Sequence, residues 1–330
     1  MLILAKTVLG IMLGFVISLV VGLLLIPILR KHHIGQSTSK LINERHAKKD
    51  GTPTLGGLIF IIPTILSLLF LYLKGSIGLN HNLIITVIVF LAYALIGFID
   101  DFLKIKYHNN NGLSVKIKFI MQLIIAIIFY VIYKYNGGLT DLTISLFGFK
   151  IQLGYFFGIF ILFLLVGTTN AVNITDGLDG LCGGLSVMAL LSYGVISWGS
   201  YWIVGYQELA IFCFVLVGAT LGFLVFNTHP ARVFMGDTGS LALGGALATV
   251  AILTRHEISL AIIGGVFVIE TLSSLIQIIA IRKFKKRIFL KAPLHHHFEQ
   301  IGWSETDIVK LFWITGFILG MLGIIYGVWL

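Results

Sequence analysis

Residues 7–29 read TVLGIMLGFVISLVVGLLLIPIL, an apolar run of 23 residues. Because about 20 apolar residues in a helix cross the hydrocarbon core of a bilayer, this run predicts a transmembrane helix. No small-residue cleavage site follows it, which favours a retained helix over a removed signal peptide. Of the 330 residues, 58% are hydrophobic and only 11% are charged. A soluble domain carries roughly a quarter charged residues, so the sequence predicts an integral membrane protein.

Similar apolar windows, bounded by polar or glycine-rich breaks, recur along the chain and predict ten transmembrane helices in an all-α fold. The windows are 7–29, 57–73, 83–99, 117–135, 154–169, 181–198, 209–226, 241–254, 260–281 and 309–330. The window at 241–254 is the weakest, because it is short for a spanning segment. No long repeat or linker interrupts the series, so residues 1–330 are expected to form a single polytopic domain.

One connection has the pattern of strands. Leu142 to Leu146 and Phe149 to Leu153 alternate in polarity on either side of a Phe-Gly pair. This alternation predicts a small β-hairpin near residues 142–153, for which a structural role is expected.

The basic residues predict the orientation of the chain. Connections after odd-numbered spans carry 18 of the 23 lysines and arginines, and the connections on the other side carry 5. Since positive residues mark the cytoplasmic side, both termini and the hairpin are expected outside. The same asymmetry explains the net charge of +9 without a nucleic-acid partner.

Acidic residues at span ends gather on the predicted cytoplasmic side. Asp100 and Asp101 end the third apolar window. Each carboxylate costs about 2.5–3.5 kcal/mol at the centre of a membrane helix and less near the interface. Adjacent helical residues point about 100° apart, so the two should face different partners. A nearby cation would relieve their repulsion, and a solvated helix end is the alternative interpretation.

Two further motifs combine acids, amides and glycines. The first reads NAVNITDGLDG at residues 170–180 and contains Asp176 and Asp179, which share a face if the segment is helical. The second reads NTHPARVFMGDTGS at residues 227–240, where two glycines bracket Asp237 before a span. Helix amides there could meet phosphate oxygens. Helix capping explains one or two residues of each motif but not the whole set.

A loop phenylalanine and a histidine run complete the unusual residues. Phe234 could stack on a nucleotide base, although a loop phenylalanine more often packs against its neighbours. The run His295-His296-His297 suggests zinc, but zinc motifs usually space their ligands. Histidine donors to phosphate are therefore the better interpretation. The basic stretch 282–291 is expected to anchor to anionic headgroups.

These acids occur without cysteine ligands, which favours a hard, oxygen-ligated ion. Mg²⁺ is typically held by one or two carboxylates together with substrate phosphates. Lysines and histidines would neutralise the remaining charge on a diphosphate, so the sequence predicts phosphoryl transfer at the membrane surface. The expected cytoplasmic active-site loops are about 30–56, 100–118, 170–180, 227–240 and 282–308.

Taken together, the motifs resemble those of the polyprenyl-phosphate N-acetylhexosamine-1-phosphate transferases. The resemblance covers nearly the whole chain, with RHAKKDGTPT at residues 45–54 as a further marker. The His-His-His-Phe run favours the branch that transfers phospho-N-acetylmuramoyl-pentapeptide over the simpler N-acetylglucosamine-phosphate branch. Leu55 stands where the family pattern has methionine, a change that conserves volume.

The resemblance implies substrates, cofactor and location. UDP-N-acetylmuramoyl-pentapeptide and undecaprenyl phosphate would give UMP and lipid I in peptidoglycan synthesis, with Mg²⁺, on the cytoplasmic face of a bacterial inner membrane. A homodimer through lipid-facing helices is also implied. A UDP-N-acetylglucosamine polyprenyl-phosphate transferase is the alternative enzyme. An ion-coupled transporter is the non-enzyme alternative, since acids inside membrane proteins often mark ion paths.

The resemblance also implies roles for individual residues. Asp237 is expected to bind Mg²⁺, and Asp100 is expected to deprotonate or orient the lipid phosphate, with Asp101 beside it. The expected substrate-binding residues are Asp179, Phe234 and Lys49 for uracil, Asn173, Asp176 and Thr54 for the adjoining nucleoside pocket, Lys116 for phosphate, His295, His296 and His297 for the sugar-phosphate or peptide end, and Asn227. Direct attack by the lipid phosphate and a covalent aspartyl intermediate are both compatible with the sequence.

Overall fold

The computed structural model describes residues 3–32, 51–107, 112–144, 149–200 and 203–329. Nine helices of this described chain are long and apolar enough to cross a membrane, and a further apolar helix has 16 residues. The helices are α1 Ile3–Lys31, α2 Leu58–Leu73, α3 His81–Lys106, α4 Val115–Tyr135, α5 Phe156–Thr175, α6 Leu181–Gly199, α7 Tyr206–Asn227, α8 Gly236–Leu253, α9 Ser259–Ile263, α10 Gly265–Ile279, α11 Leu294–Gln300 and α12 Glu305–Ile324. Short π-helical turns, Ala280–Phe284 and Ile325–Trp329, extend α10 and α12.

Each of the ten predicted windows coincides with a helical segment, which confirms the all-α, multi-pass membrane fold. The weakest window belongs to a full helix, because α8 begins at Gly236 and not at residue 241. Its first turn consists of glycine and polar residues, which are helical here but carry no apolar pattern. The window 260–281 is divided at Gly264 into α9 and α10.

The helices α7 and α8 form the centre of the bundle. Every residue of α8 from Gly236 to Ile252 is buried except Asp237. α7 packs against α1, and glycine allows the two backbones to approach, since a Cβ on Gly218 would collide with the Ile11 carbonyl. Lipid tails are as apolar as this core, so close packing of small residues stabilises the association of the helices.

The contact between α3 and α8 brings two acidic helix ends together. Gly97 of α3 lies so close to α8 that a Cβ on it would be 2.5 Å from the Thr238 nitrogen. The last turns of α3, with Asp100 and Asp101, therefore lie directly against the first turn of α8, which contains Asp237. We call this end of the bundle the acidic end.

The predicted β-hairpin lies at the other end of α8. Strands β1 Asp141–Ile144 and β2 Phe149–Gln152 pair in antiparallel orientation. Arg255, just after α8, donates to the Leu139 carbonyl at 3.0 Å and forms a salt bridge with Asp141 at 3.1 Å. The arginine therefore ties the hairpin to the bundle, remote from the acidic end.

Replacement of Gly97 by alanine is expected to destabilise the protein by about 1–3 kcal/mol, because the new Cβ would push α3 away from α8. Gly167→Ala in α5 is the matched control, since no heavy atom outside its own helix lies within 4 Å of a Cβ built there. Alanine also favours a helix over glycine. Thermal unfolding of both variants in the same detergent is the measurement. Equal midpoints for the two variants would contradict the close contact.

Candidate functional site

Three carboxylates, two of them adjacent in the sequence and the third distant, converge at the acidic end. Oxygen atoms of Asp100, Asp101 and Asp237 lie within 4.8 Å of one another. Their side chains are 4%, 0% and 17% exposed, so water screens their repulsion poorly. Lys104 and Lys118 supply the compensating positive charge.

Asp101 caps the N-terminus of α8 from the neighbouring helix. Its carboxylate accepts hydrogen bonds from the Asp237 backbone N–H at 3.1 Å and from the Thr238 N–H at 2.9 Å. The Thr238 hydroxyl donates a third hydrogen bond at 2.6 Å. A carboxylate at this position also meets the positive end of the helix dipole. Both oxygens of Asp101 are therefore engaged in holding α8.

Asp100 faces a different set of partners, as expected from the offset of about 100° between adjacent helical residues. Its Oδ1 accepts the Leu113 N–H at 2.8 Å, and its Oδ2 lies 2.6 Å from Lys104 Nζ. Gly112 leaves space for this carboxylate, because a Cβ there would lie 2.6 Å from its atoms. The loop before α4 is thereby fastened to the end of α3.

Asp237 is the most accessible of the three acids. Its Oδ2 accepts from Lys104 Nζ at 3.1 Å and from Lys118 Nζ at 2.6 Å. Its Oδ1 accepts from the side-chain amide of Asn173 at 2.8 Å, and the same amide donates to Ser240 Oγ at 2.8 Å. Asp237 thus lies where α3, α4, α5 and α8 meet, and it is the carboxylate best placed to meet a ligand.

The two lysines of this cluster were missed by the sequence-based prediction, which assigned phosphate contact to Lys116. Lys116 is exposed, and the structure does not bring it into the cluster. The i,i+4 spacing of Asp100 and Lys104 could have indicated the first pair. Lys118 differs from Lys116 only in the face of α4 on which it lies, and that choice depends on how α4 packs against α3.

The donor set fits a hard divalent cation. Carboxylate oxygens are ligands that Mg²⁺ prefers, and one or two suffice when substrate phosphates supply the remainder. Asp100 and Asp237 offer such oxygens at the acidic end. Their lysine partners would face the same phosphates as the ion.

A second group of polar side chains joins three loops at this end. Asp179 accepts the Ala231 N–H at 3.0 Å and lies 3.1 Å from His229 Nδ1. The backbone N–H of Asp179 donates to Glu305 at 2.7 Å. Asn227 braces the same region by accepting from the turn before α6 and donating to the loop before α8. The turn before α6, the loop after α7 and the start of α12 are therefore held together.

The structure describes three of the other predicted nucleoside-binding residues. Phe234 is half-buried, and its backbone N–H and carbonyl pair with the segment 53–56. Thr54 within that segment is buried. Asp176 is half-buried at the end of α5. Lys49 lies outside the described residues.

The three consecutive histidines have separate partners. His295 is buried, and its Nδ1 lies 2.7 Å from a Glu270 oxygen. His296 Nδ1 lies 2.5 Å from Glu299, and burial lowers the pKa of His296 although Glu299 opposes that shift. His297 accepts a backbone N–H from the preceding loop at 3.2 Å. Each ring is oriented individually, and the sequence had not indicated either glutamate as a partner.

The all-helical membrane bundle with its acidic end defines a membrane-embedded transferase. Comparison with known proteins identifies the same class. The model of glycosyl transferase family 4 matches residues 83–255. This stretch runs from α3 through α8 and contains all three clustered aspartates.

Relatives that match over nearly the full length of the chain identify its family within this class. A phospho-N-acetylmuramoyl-pentapeptide-transferase of Geobacillus sp. (strain WCH70) is 48% identical over 323 residues, which cover 98% of both chains. The protein of the same name from Bacillus subtilis (strain 168) is 47% identical over 320 residues, or 97% of both chains. The chain belongs to the phospho-N-acetylmuramoyl-pentapeptide-transferase family and is an enzyme. The resemblance seen in the motifs is confirmed, and the transporter alternative is set aside.

Lys118→Met is expected to lower the transferase rate by about 10²-fold, because a preorganised positive charge beside Asp237 is lost. Lys134→Met is the matched control, since Lys134 ends the same helix at the opposite side of the bundle. The measurement is the initial rate at saturating substrate. Equal rates for the two variants would remove Lys118 from the site.

Proposed function

We propose that this enzyme transfers phospho-N-acetylmuramoyl-pentapeptide from its UDP-activated form to undecaprenyl phosphate, releasing UMP and forming lipid I in peptidoglycan synthesis. Relatives with the transferase name over nearly the whole chain support this proposal. The observation that carries the chemistry is the cluster of three carboxylates with Lys104 and Lys118. Such a cluster suits a diphosphate, whose leaving group gains charge during transfer.

In the proposed step, an oxygen of the lipid phosphate attacks the sugar-linked β-phosphorus of the nucleotide. The bond from that phosphorus to the bridging oxygen breaks, and UMP leaves with the bridging oxygen. Asp100 would accept the proton of the lipid phosphate or orient it, while Asp101 keeps α8 in place. Covalent attack by an aspartate is the alternative, and trapping a phospho-enzyme with the nucleotide alone would establish it.

Mg²⁺ is the proposed cofactor, with Asp237 as its ligand. When bound, the ion supplies charge stabilisation to the transferring phosphate and the leaving UMP. Asp237 suits this role because it is the most accessible of the three acids and a hard anionic ligand. Lys104 and Lys118, at 3.1 and 2.6 Å from the same carboxylate, would hold phosphate oxygens beside the ion.

The donor nucleotide is proposed to bind near the second polar group. The proposed contacts are Asp179, Phe234 and Lys49 for uracil, Thr54, Asn173 and Asp176 for the nucleoside, Lys116 for phosphate, Asn227 for the loops that hold the nucleotide, and His295, His296 and His297 for the sugar-phosphate or peptide end. The links from Asp179 to the loop after α7 and to the start of α12 support this placement, because they fix the turn that would face the base.

The cytoplasmic face of the bacterial inner membrane is the proposed location of the site. The 18 to 5 division of basic residues supports this orientation. The ends of α3, α5 and α7 and the starts of α4, α6 and α8 all lie at the acidic end, so the residues of the site would share one face. A homodimer through lipid-facing helices belongs to the same proposal.

UMP release from two UDP-sugars tests the proposed donor. With polyprenyl phosphate and Mg²⁺ present, the purified enzyme should release UMP from UDP-N-acetylmuramoyl-pentapeptide and should release far less from UDP-N-acetylglucosamine. Omission of the lipid phosphate should stop the release. Preference for UDP-N-acetylglucosamine would favour the alternative branch of the superfamily.

Asp237→Asn is expected to remove nearly all turnover and to weaken the dependence of the residual rate on Mg²⁺, because an amide is a poorer ligand than a carboxylate. Glu208→Gln is the matched change of acid to amide, since Glu208 lies at the far end of the bundle, where it accepts from Asn80 at 2.7 Å. UMP release is titrated with Mg²⁺ for both variants. Near-normal activity of Asp237→Asn would remove Asp237 from the metal site.

A further inference from the structure

Glu270 is a buried acid on a membrane-spanning helix, and the proposed transfer step does not use it. It is 0% exposed on α10. One carboxylate oxygen accepts the backbone N–H of His295 at 3.0 Å, and the other lies 2.7 Å from His295 Nδ1. A charged acid at membrane depth is costly and persists when it is paired. Both oxygens of Glu270 therefore serve a single residue of the histidine run.

The other nitrogen of the His295 ring faces the turn between α5 and α6. No described residue offers His295 Nε2 a hydrogen-bond partner, although the atom is buried. The nitrogen is directed at Gly177, where a Cβ would collide with the ring. Gly177 lies between Asp176 and Asp179, in the turn proposed to hold the nucleotide. An unpaired buried polar atom costs about 1–3 kcal/mol, which a polar group of a ligand would recover.

We propose that Glu270 is a positioning residue that fixes the direction and the proton arrangement of His295. This inference rests on the proposed function, because it assigns His295 Nε2 to a polar group of the UDP-sugar. An ionised carboxylate only accepts, so Nδ1 carries the proton in this contact. Nε2 is then an acceptor, or the second donor of an imidazolium that the carboxylate stabilises. In both forms Nε2 is the nitrogen that serves the substrate.

A purely structural role is the alternative, since Glu270 also holds the first turn of α11 through the His295 N–H. Glu270→Gln separates the two roles. The amide oxygen of glutamine still accepts the backbone N–H, but its NH₂ group faces Nδ1. Nδ1 must then accept, and the proton moves to Nε2. The substitution keeps the link between α10 and α11 and exchanges the donor and acceptor roles of the two ring nitrogens.

The first experiment measures UMP release by Glu270→Gln. The kcat is expected to fall about 10- to 100-fold, the range found when the hydrogen-bond partner of a metal-ligating histidine is removed. The thermal midpoint should stay close to that of the wild type, because the link between α10 and α11 is kept. Thr271→Val is the matched control, because Thr271 lies on the same helix and its buried hydroxyl forms no hydrogen bond with any described residue. A kcat for Glu270→Gln equal to that of the control would overturn the proposal.

A double-mutant cycle with His295→Ala tests whether Glu270 acts through the ring. In the alanine background, Glu270→Gln should cause no further loss of kcat, because the group that it orients is absent. Equal fold-losses in both backgrounds would show that the carboxylate acts on the structure alone.

Nitrogen-15 NMR of histidine-labelled protein reads the proton position directly. The wild type should carry a proton on His295 Nδ1, and Glu270→Gln should move it to Nε2. The same ring state in both proteins would overturn the proposal. Since this measurement needs no substrate, failure of the proposed function would appear separately, as absence of UMP release by the wild type.

Discussion

The capping of α8 by Asp101 is the interaction on which the acidic end depends. A carboxylate of α3 accepts the first backbone N–H groups of α8, and it reaches them because Gly97 allows the two helices to touch. With α8 held in this way, Asp237 faces Lys104 and Lys118 from its first turn. Removal of the cap would leave buried N–H groups unpaired, at about 1–3 kcal/mol each.

At the acidic end, the carboxylates and the two lysines form a small network of ion pairs. Asp100 shares Lys104 with Asp237, so this one ammonium neutralises more than one carboxylate in a poorly screened setting. A diphosphate with a divalent cation would bring both negative and positive charge into the same space. The existing pairs can then exchange partners without leaving an isolated buried charge, which would be far more costly than an imperfect pair. This property suits repeated binding and release of a highly charged substrate.

The sequence predicted the helices well, because apolarity over about 20 residues is a local property that a bilayer enforces. It also predicted the hairpin and all three clustered acids. It placed the start of α8 too late, since glycine and polar residues there are held by Asp101 and not by lipid. The pairings of Lys118 with Asp237 and of Glu270 with His295 were missed because the partners are distant in the chain and are brought together only by packing. Such pairings depend on how helices pack against one another, which a local sequence pattern does not reveal.

The nearly complete burial of α8 has a consequence for biogenesis. Among the nine candidate spans of the described chain, α8 has the lowest mean hydropathy and the largest buried share. A segment with Asp237 and many small residues enters lipid poorly on its own, because insertion depends on the apolar character of each span. The helices α3, α5 and α6, which contact it, precede it in the chain, so they are synthesised first. α8 is therefore synthesised after the helices that bury it. This order of synthesis helps the least apolar of the candidate spans to insert.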